Sequence, residues 1–147
     1  MTPYIERADA TTYFSERFNS GSWTSADDDD QTAALKTATR YIDRLRFTGA
    51  KTVATQELQF PRDDDTTVPT DIQYACCEIA YALLDGIEPE LEYENLNMVS
   101  QGYGNVRSTY DRTDKPLHIL AGIPSIVAWR YLLPYMPDLR SISLDRV

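Results

Sequence analysis

The chain has one histidine, two cysteines that are sequence neighbours, and no apolar run approaching the roughly 18 residues a membrane-spanning helix needs. Each scarcity removes a class of function. His118 stands alone and no Ser or Cys lies in a nucleophile motif, so a Ser/His/Asp or Cys/His machine has no support. Adjacent residues point their side chains apart, so Cys76 and Cys77 are not expected to form a disulfide with each other; they read as small buried hydrophobes in a reducing compartment. The opening MTPYIERADA lacks the basic and apolar regions of a signal peptide, which places the expected site of synthesis in a cytoplasm with no membrane partner.

Positive charge is also short. There are 14 Lys+Arg against 23 Asp+Glu, a formal charge of -9, which argues against a protein whose main task is to coat nucleic acid. The imbalance is uneven: residues 1–105 carry 8 basic and 19 acidic side chains, whereas residues 106–147 carry 6 and 4. An acidic body and a slightly basic C-terminal stretch are suited to different partners.

What is present is enough for one folded domain: 147 residues, 42% hydrophobic and 11% aromatic. Ala10, Tyr13, Phe14 and Phe18 recur at helical spacing and predict a helix from Arg7 to Phe18, stopped by Asn19-Ser-Gly-Ser. Ser25 as cap with Asp28 three residues on predicts a second helix to about Arg46, with Asp27 to Asp30 at the positive end of its dipole. Pro69 and Asp71 open a third helix that ends at Asp85-Gly86. It is apolar on two sides: one stripe holds Ile72, Ala75, Cys76, Ile79 and Leu83, the other Tyr74, Cys77, Tyr81 and Leu84. Glu88 to Glu94 reads as an acidic linker, 96–110 as a β-hairpin around Gly102 and Gly104, and Pro124 to about Tyr135 as a fourth helix. The expected fold is mainly α, a small bundle of about four helices with one β-hairpin: residues 1–137 form the domain, with the hairpin near 96–110, and 138–147 an extended C-terminal arm.

No catalytic, cofactor-binding or metal-binding residues stand out, and the chain is not expected to be an enzyme. Consecutive aspartates at a helix start point in different directions, unlike the alternating ligands of a divalent-cation loop, so Asp27 to Asp30 read as dipole partners and Asp63 to Asp65 as a solvated loop. Gly102-Tyr-Gly104 lacks the third Gly, the Lys-Ser/Thr pair and the following helix of a phosphate loop. Basic residues with interleaved aromatics occur as Arg40-Tyr41, Arg44, Arg46-Phe47 and Arg130-Tyr131, a spacing that a helix is expected to scatter. Ten tyrosines divide between the edge of the core and interfaces with other proteins.

Several phrases together carry a family likeness. They are Ala8-Asp-Ala-Thr-Thr-Tyr13-Phe14, Trp23, Ala26-Asp27-Asp28, Arg40-Tyr-Ile42-Asp43-Arg44-Leu45-Arg46-Phe47-Thr-Gly49, Leu58-Gln-Phe60-Pro61-Arg62 and Val68-Pro69. Gly102-Tyr-Gly-Asn-Val106-Arg-Ser-Thr-Tyr110 and Tyr131-Leu-Leu-Pro-Tyr135 complete the set. From Tyr4 to about Met136 the chain resembles the small head-tail connector proteins of tailed bacteriophages, relatives of which are often labelled DnaT-like single-strand binding proteins. The resemblance implies a structural virion protein of the phage neck, assembled in the host bacterial cytoplasm. Copies would form a homo-oligomeric, dodecameric ring under the portal protein, meet a stopper or tail-completion protein below, and let genomic dsDNA pass through the lumen. Portal attachment is then expected from Leu139, Arg140, Ile142, Leu144 and Arg146, and subunit contacts from Tyr74, Cys77, Tyr81, Leu84, Tyr103 and Tyr110. The rival expectation is a single-stranded DNA binding module that contacts phosphates through Arg40, Arg44, Arg46 and Arg62.

Overall fold

The computed structural model describes residues 1–96, 100–103, 106–109 and 116–137. In chain order the helices are α1 (Arg7–Ser15), α2 (Gly21–Thr24), α3 (Asp28–Asp43), α4 (Thr70–Leu84), α5 (Pro89–Leu96), α6 (Leu117–Leu120) and α7 (Ile126–Leu132), with a 3-10 turn at Leu133–Tyr135. Strands β1 (Ser100–Tyr103) and β2 (Val106–Thr109) pair antiparallel, Ser100 opposite Thr109 and Tyr103 opposite Val106. No helix among the described residues is long and apolar enough to cross a membrane.

The expected fold is corrected. The packed domain is mainly helical, with no named strand in its core among the described residues, and it is built from more and shorter helices than the expected bundle of about four. Leu96 is a buried residue of α5 rather than the start of a strand. The supposed acidic linker is that helix: Pro89 takes the first helical position and Glu90 and Glu92 sit at the positive end of its dipole. The expected arm, 138–147, lies outside the described residues.

Two helix ends moved for identifiable reasons. Ser25 cannot cap α3, because it closes α2, its N–H bonded to the Gly21 carbonyl. Asp27 caps α3 instead, accepting the Asp30 N–H at 2.8 Å, with Asp28, Asp29 and Asp30 in the first turn. Helix α1 stops at Ser15, so Phe18 lies beyond it and is exposed rather than on its buried face. The Pro69 to Gly86 helix has nearly the expected limits, with Pro69 as N-cap and Gly86 in the left-handed region at φ 89°.

Helix α4 is the centre. It packs on α3 and α7 along its length, and α1 and α2 cover what remains. Ile72, Ala75, Cys76, Cys77, Ile79 and Ala80 are all inaccessible to solvent. The two-sided apolar pattern is therefore satisfied within one chain. Tyr74 lies between Tyr13 and Tyr131, and Tyr81 against Phe14, which also meets Tyr13 edge-on and stacks on the buried Trp23.

Candidate nucleic-acid interface

Whether an acidic protein can meet a polyanion depends on which cations remain available. Arg17 is not. Its Nε donates to Glu78 Oε2 at 2.8 Å and its Nη2 to Oε1 at 3.1 Å, while Tyr13 Oη donates to the same carboxylate at 2.9 Å. Glu78 is only 4% exposed. The Arg17 guanidinium also lies 4.1 Å from the Tyr81 ring centre. Burial works against its charge, but the hydrogen bond and charge of Glu78 outweigh it and raise its pKa.

Arg62, expected to touch phosphate, is tied to its own loop. Its Nε donates to the Thr48 carbonyl at 3.0 Å, Nη2 to the Gly49 carbonyl at 2.8 Å and Nη1 to Gln59 Oε1 at 2.8 Å. The segment 44–69 contains no helix; its two sides are joined by the Lys51–Arg62 bridge, with Thr52 N–H donating to the Pro61 carbonyl and Asp63 N–H to the Ala50 carbonyl, and the Arg62 side chain adds to that pairing. Gly49 sits at φ 77° with the Asp63 carboxylate where a Cβ would stand. Asp63 in turn accepts the Ala50 N–H at 3.0 Å, so the first residue of that aspartate run has a structural task. At the inner end of the loop, Tyr4 Oη donates to Asp43 and Gln59 N–H donates to the same carboxylate at 3.2 Å. Burial pushes the Asp43 carboxyl above its ordinary value, against these two hydrogen bonds.

Arg7 is paired with Asp28 at 3.2 Å, and Lys51 Nζ donates to the Gln56 carbonyl at 3.3 Å. Of the eight cations in residues 1–105, Lys36, Arg40, Arg44 and Arg46 make neither an ion pair nor a side-chain hydrogen bond with a described residue, whereas Arg7 and Arg17 are ion-paired and Lys51 and Arg62 are held by carbonyl and amide oxygens. Lys36, Arg40 and Arg44 follow one another at intervals of four on α3 and its C-cap, so they form one ridge about 12 Å long. Two of the basic residues expected to be scattered, Arg40 and Arg44, thus fall in one row that begins at Lys36, an interval legible in the sequence; Arg46 lies beyond the helix and Arg130 on α7. Arg40, Arg44 and Arg46 are exposed. The ridge also opposes the negative end of the α3 dipole, which is its structural use.

At the Arg44 end of the ridge lies a groove of about 460 Å³, lined by Tyr41 and Arg44, by Glu90, Tyr93 and Glu94 of α5, and by Ile119 and Leu120 of α6. Tyr41 is half-buried with the Arg44 guanidinium 5.7 Å from its ring centre; Tyr93 is 48% exposed. The lining thus holds one cation, Arg44, two carboxylates, Glu90 and Glu94, and two aromatic rings, Tyr41 and Tyr93.

The remaining sequence-based candidates lie elsewhere. Cys77 is buried in the core, Tyr81 and Leu84 are half-buried against it, Tyr74 is half-buried between Tyr13 and Tyr131, and Tyr110, Leu139, Arg140, Ile142, Leu144 and Arg146 lie outside the described residues. Tyr103 is the last residue of β1. Burial pushes the Cys76 thiol up to about 12 and the Cys77 thiol up as well, so neither is a ready thiolate. Among the described residues no group of three or more His, Cys, Asp and Glu side chains is placed to hold a metal ion.

No curated protein and no solved structure matches the chain. A family model does: residues 2–135 match the family described as "Putative DnaT-like ssDNA binding protein". The match is not to a head-tail connector family, and it overturns the resemblance to phage connectors together with the virion, neck and portal roles drawn from it. Over nearly its whole described length, the chain belongs to the DnaT-like ssDNA binding protein family.

Proposed function

We propose that the protein is a single-stranded DNA binding module whose contact surface is the Lys36–Arg40–Arg44 ridge and the adjoining groove. The observation that carries this reading is the family match over residues 2–135. The local chemistry supports it. Single strands are held by cations along the backbone and by aromatic faces on which bases stack, a combination that needs no sequence readout. Phosphates lie along the basic ridge, away from Glu90 and Glu94, and bases turn toward Tyr41 and Tyr93. Stacking is available to any base, so the module discriminates little between sequences.

The acidic body sets the strength. Three phosphate contacts give a log–log salt slope of about -2, so a fourfold rise in salt weakens binding about 20-fold. Fluorescence anisotropy with a labelled oligothymidylate at low salt checks this. R40E/R44E removes binding, because two attractions become repulsions. Tyr93→Ala weakens binding by about tenfold, the effect of losing one stacked base. Absence of any complex for the wild type at low salt overturns the reading. A wild-type complex that R40E/R44E leaves unchanged moves the site away from α3.

A further inference from the structure

Three tyrosines from three helices form a row at one face of the molecule. Tyr74 of α4 has Tyr13 of α1 on one side, ring centres 4.8 Å apart, and Tyr131 of α7 on the other, at 5.8 Å, and all three are half-buried. The two ends of the row differ in charge. On α1 and its C-cap, Asp9, Tyr13 and Glu16 recur at helical spacing, so an exposed carboxylate flanks the ring on either side. These residues open on a hollow of about 230 Å³ between α1 and α4, lined also by Thr70 and Tyr74; no Lys, Arg or His among the described residues lines it. At the other end, Ile126, Arg130 and Leu133 share the outer face of α7 and its C-cap, and Val127 lies one turn before Tyr131; all but Tyr131 are exposed.

A surface that is aromatic and apolar across its middle, with a cation at one edge and carboxylates at the other, becomes complementary to itself when turned about a twofold axis. We propose that this face pairs with the same face of a second copy, Arg130 of each copy entering the hollow between Asp9 and Glu16 of the other. Charge fixes the arrangement. Packing α7 on α7 brings the two arginines together, and α1 on α1 sets carboxylates against carboxylates, whereas α7 on α1 joins opposite charges at both contacts. The seat suits a guanidinium, which lies flat against a tyrosine ring while its N–H groups reach a carboxylate, as Arg17 does within one chain over Tyr81 and beside Glu78. Ile126, Val127 and Leu133 then leave water together against the second copy. The contact is isologous, so the assembly closes at two copies. It shares no residue with the Lys36–Arg40–Arg44 ridge or its groove and does not rest on the DNA reading.

Sedimentation velocity on DNA-free protein tests the pairing. The wild type passes from monomer to dimer as concentration rises, and to nothing larger. R130E opposes like charges at both contacts, as does D9K/E16K, and each weakens dimerisation by about tenfold or more. The substituted side chains are exposed, so both variants keep the wild-type fold, which urea unfolding verifies. Mixed in equal amounts, the two variants form a heterodimer about as readily as the wild type forms its dimer, because each contact again joins opposite charges. A wild type that stays monomeric at every concentration, a variant that dimerises like the wild type, or a mixture that stays monomeric overturns the proposal. Anisotropy with oligothymidylate keeps the two readings apart: a wild type that dimerises without binding DNA overturns the DNA reading alone, and one that binds DNA but never dimerises overturns the pairing alone.

Discussion

The junction of α1 with α4 and the end of α3 both carry arginine beside tyrosine, and they use the pair in opposite ways. At the first, Arg17 lies over Tyr81 with both ends of its guanidinium committed, to Glu78 inside and to the turn carbonyls outside. At the second, Arg44 lies beside Tyr41 with no ion pair to a described residue and water on one side. The difference is one of acceptors. A buried carboxylate must be paired, and it draws in whichever cation can reach it. An exposed helix end asks only for positive charge nearby, which leaves the hydrogen-bond donors free. Net charge therefore says little about capacity for phosphate; the number of uncommitted cations and their alignment say more.

The sharpest way to break this comparison is to remove the acceptor. Glu78→Ala leaves the Arg17 guanidinium and the Tyr13 hydroxyl without their partner, and costs about 3 kcal/mol, the lower end for a broken buried pair because Arg17 keeps some solvent. Urea unfolding measures it. At Arg62, which is committed but only half-buried, Arg62→Ala loses contacts to Thr48, Gly49 and Gln59 and costs about 1.5 kcal/mol, since water replaces part of what is lost. Neither residue belongs to the proposed DNA surface, so variants assayed below their unfolding midpoint keep the wild-type salt slope. A flattened slope in R62A returns Arg62 to the list of phosphate contacts.

How much of this was legible in the chain depends on the range of the interaction. Local signals served well: Pro69, Asp71 and Gly86 delimit α4, and its two apolar stripes announce a central helix. Local signals also misled where two motifs competed for one residue, as at Ser25, which serves as the end of α2 and so cannot start α3. The helical nature of 89–96 was present in Pro89, Glu90 and Glu92 but masked by acidity that reads as a linker. For the site, the interval from Lys36 to Arg40 to Arg44 needed only counting. That Arg17 and Arg62 are unavailable did not: their acceptors lie 61 residues away at Glu78 and 13 or more away at Thr48 and Gly49, and no spacing rule connects them. The groove has the same character, since α3, α5 and α6 meet only in three dimensions.

The smallest expected effect lies beside the groove. His118 is a half-buried residue of α6, and burial lowers its pKa below the ordinary 6.5, against an opposing pull from Glu92. The unfolded chain therefore binds a proton more readily than the folded one between the two values. Stability from this residue is present above 6.5 and is lost as pH falls through the folded-state pKa, the reverse of a histidine that gains an acidic partner. His118→Asn removes the dependence, so the stability difference between wild type and variant narrows or changes sign as the solution is acidified, while other carboxylates titrate alike in both. Urea midpoints across the acid range measure it. A difference that is constant with pH means that α6 opens at little cost before the histidine titrates, and the comparison then sharpens in another direction: the groove side is the more loosely held of the two, as a surface that exchanges partners requires.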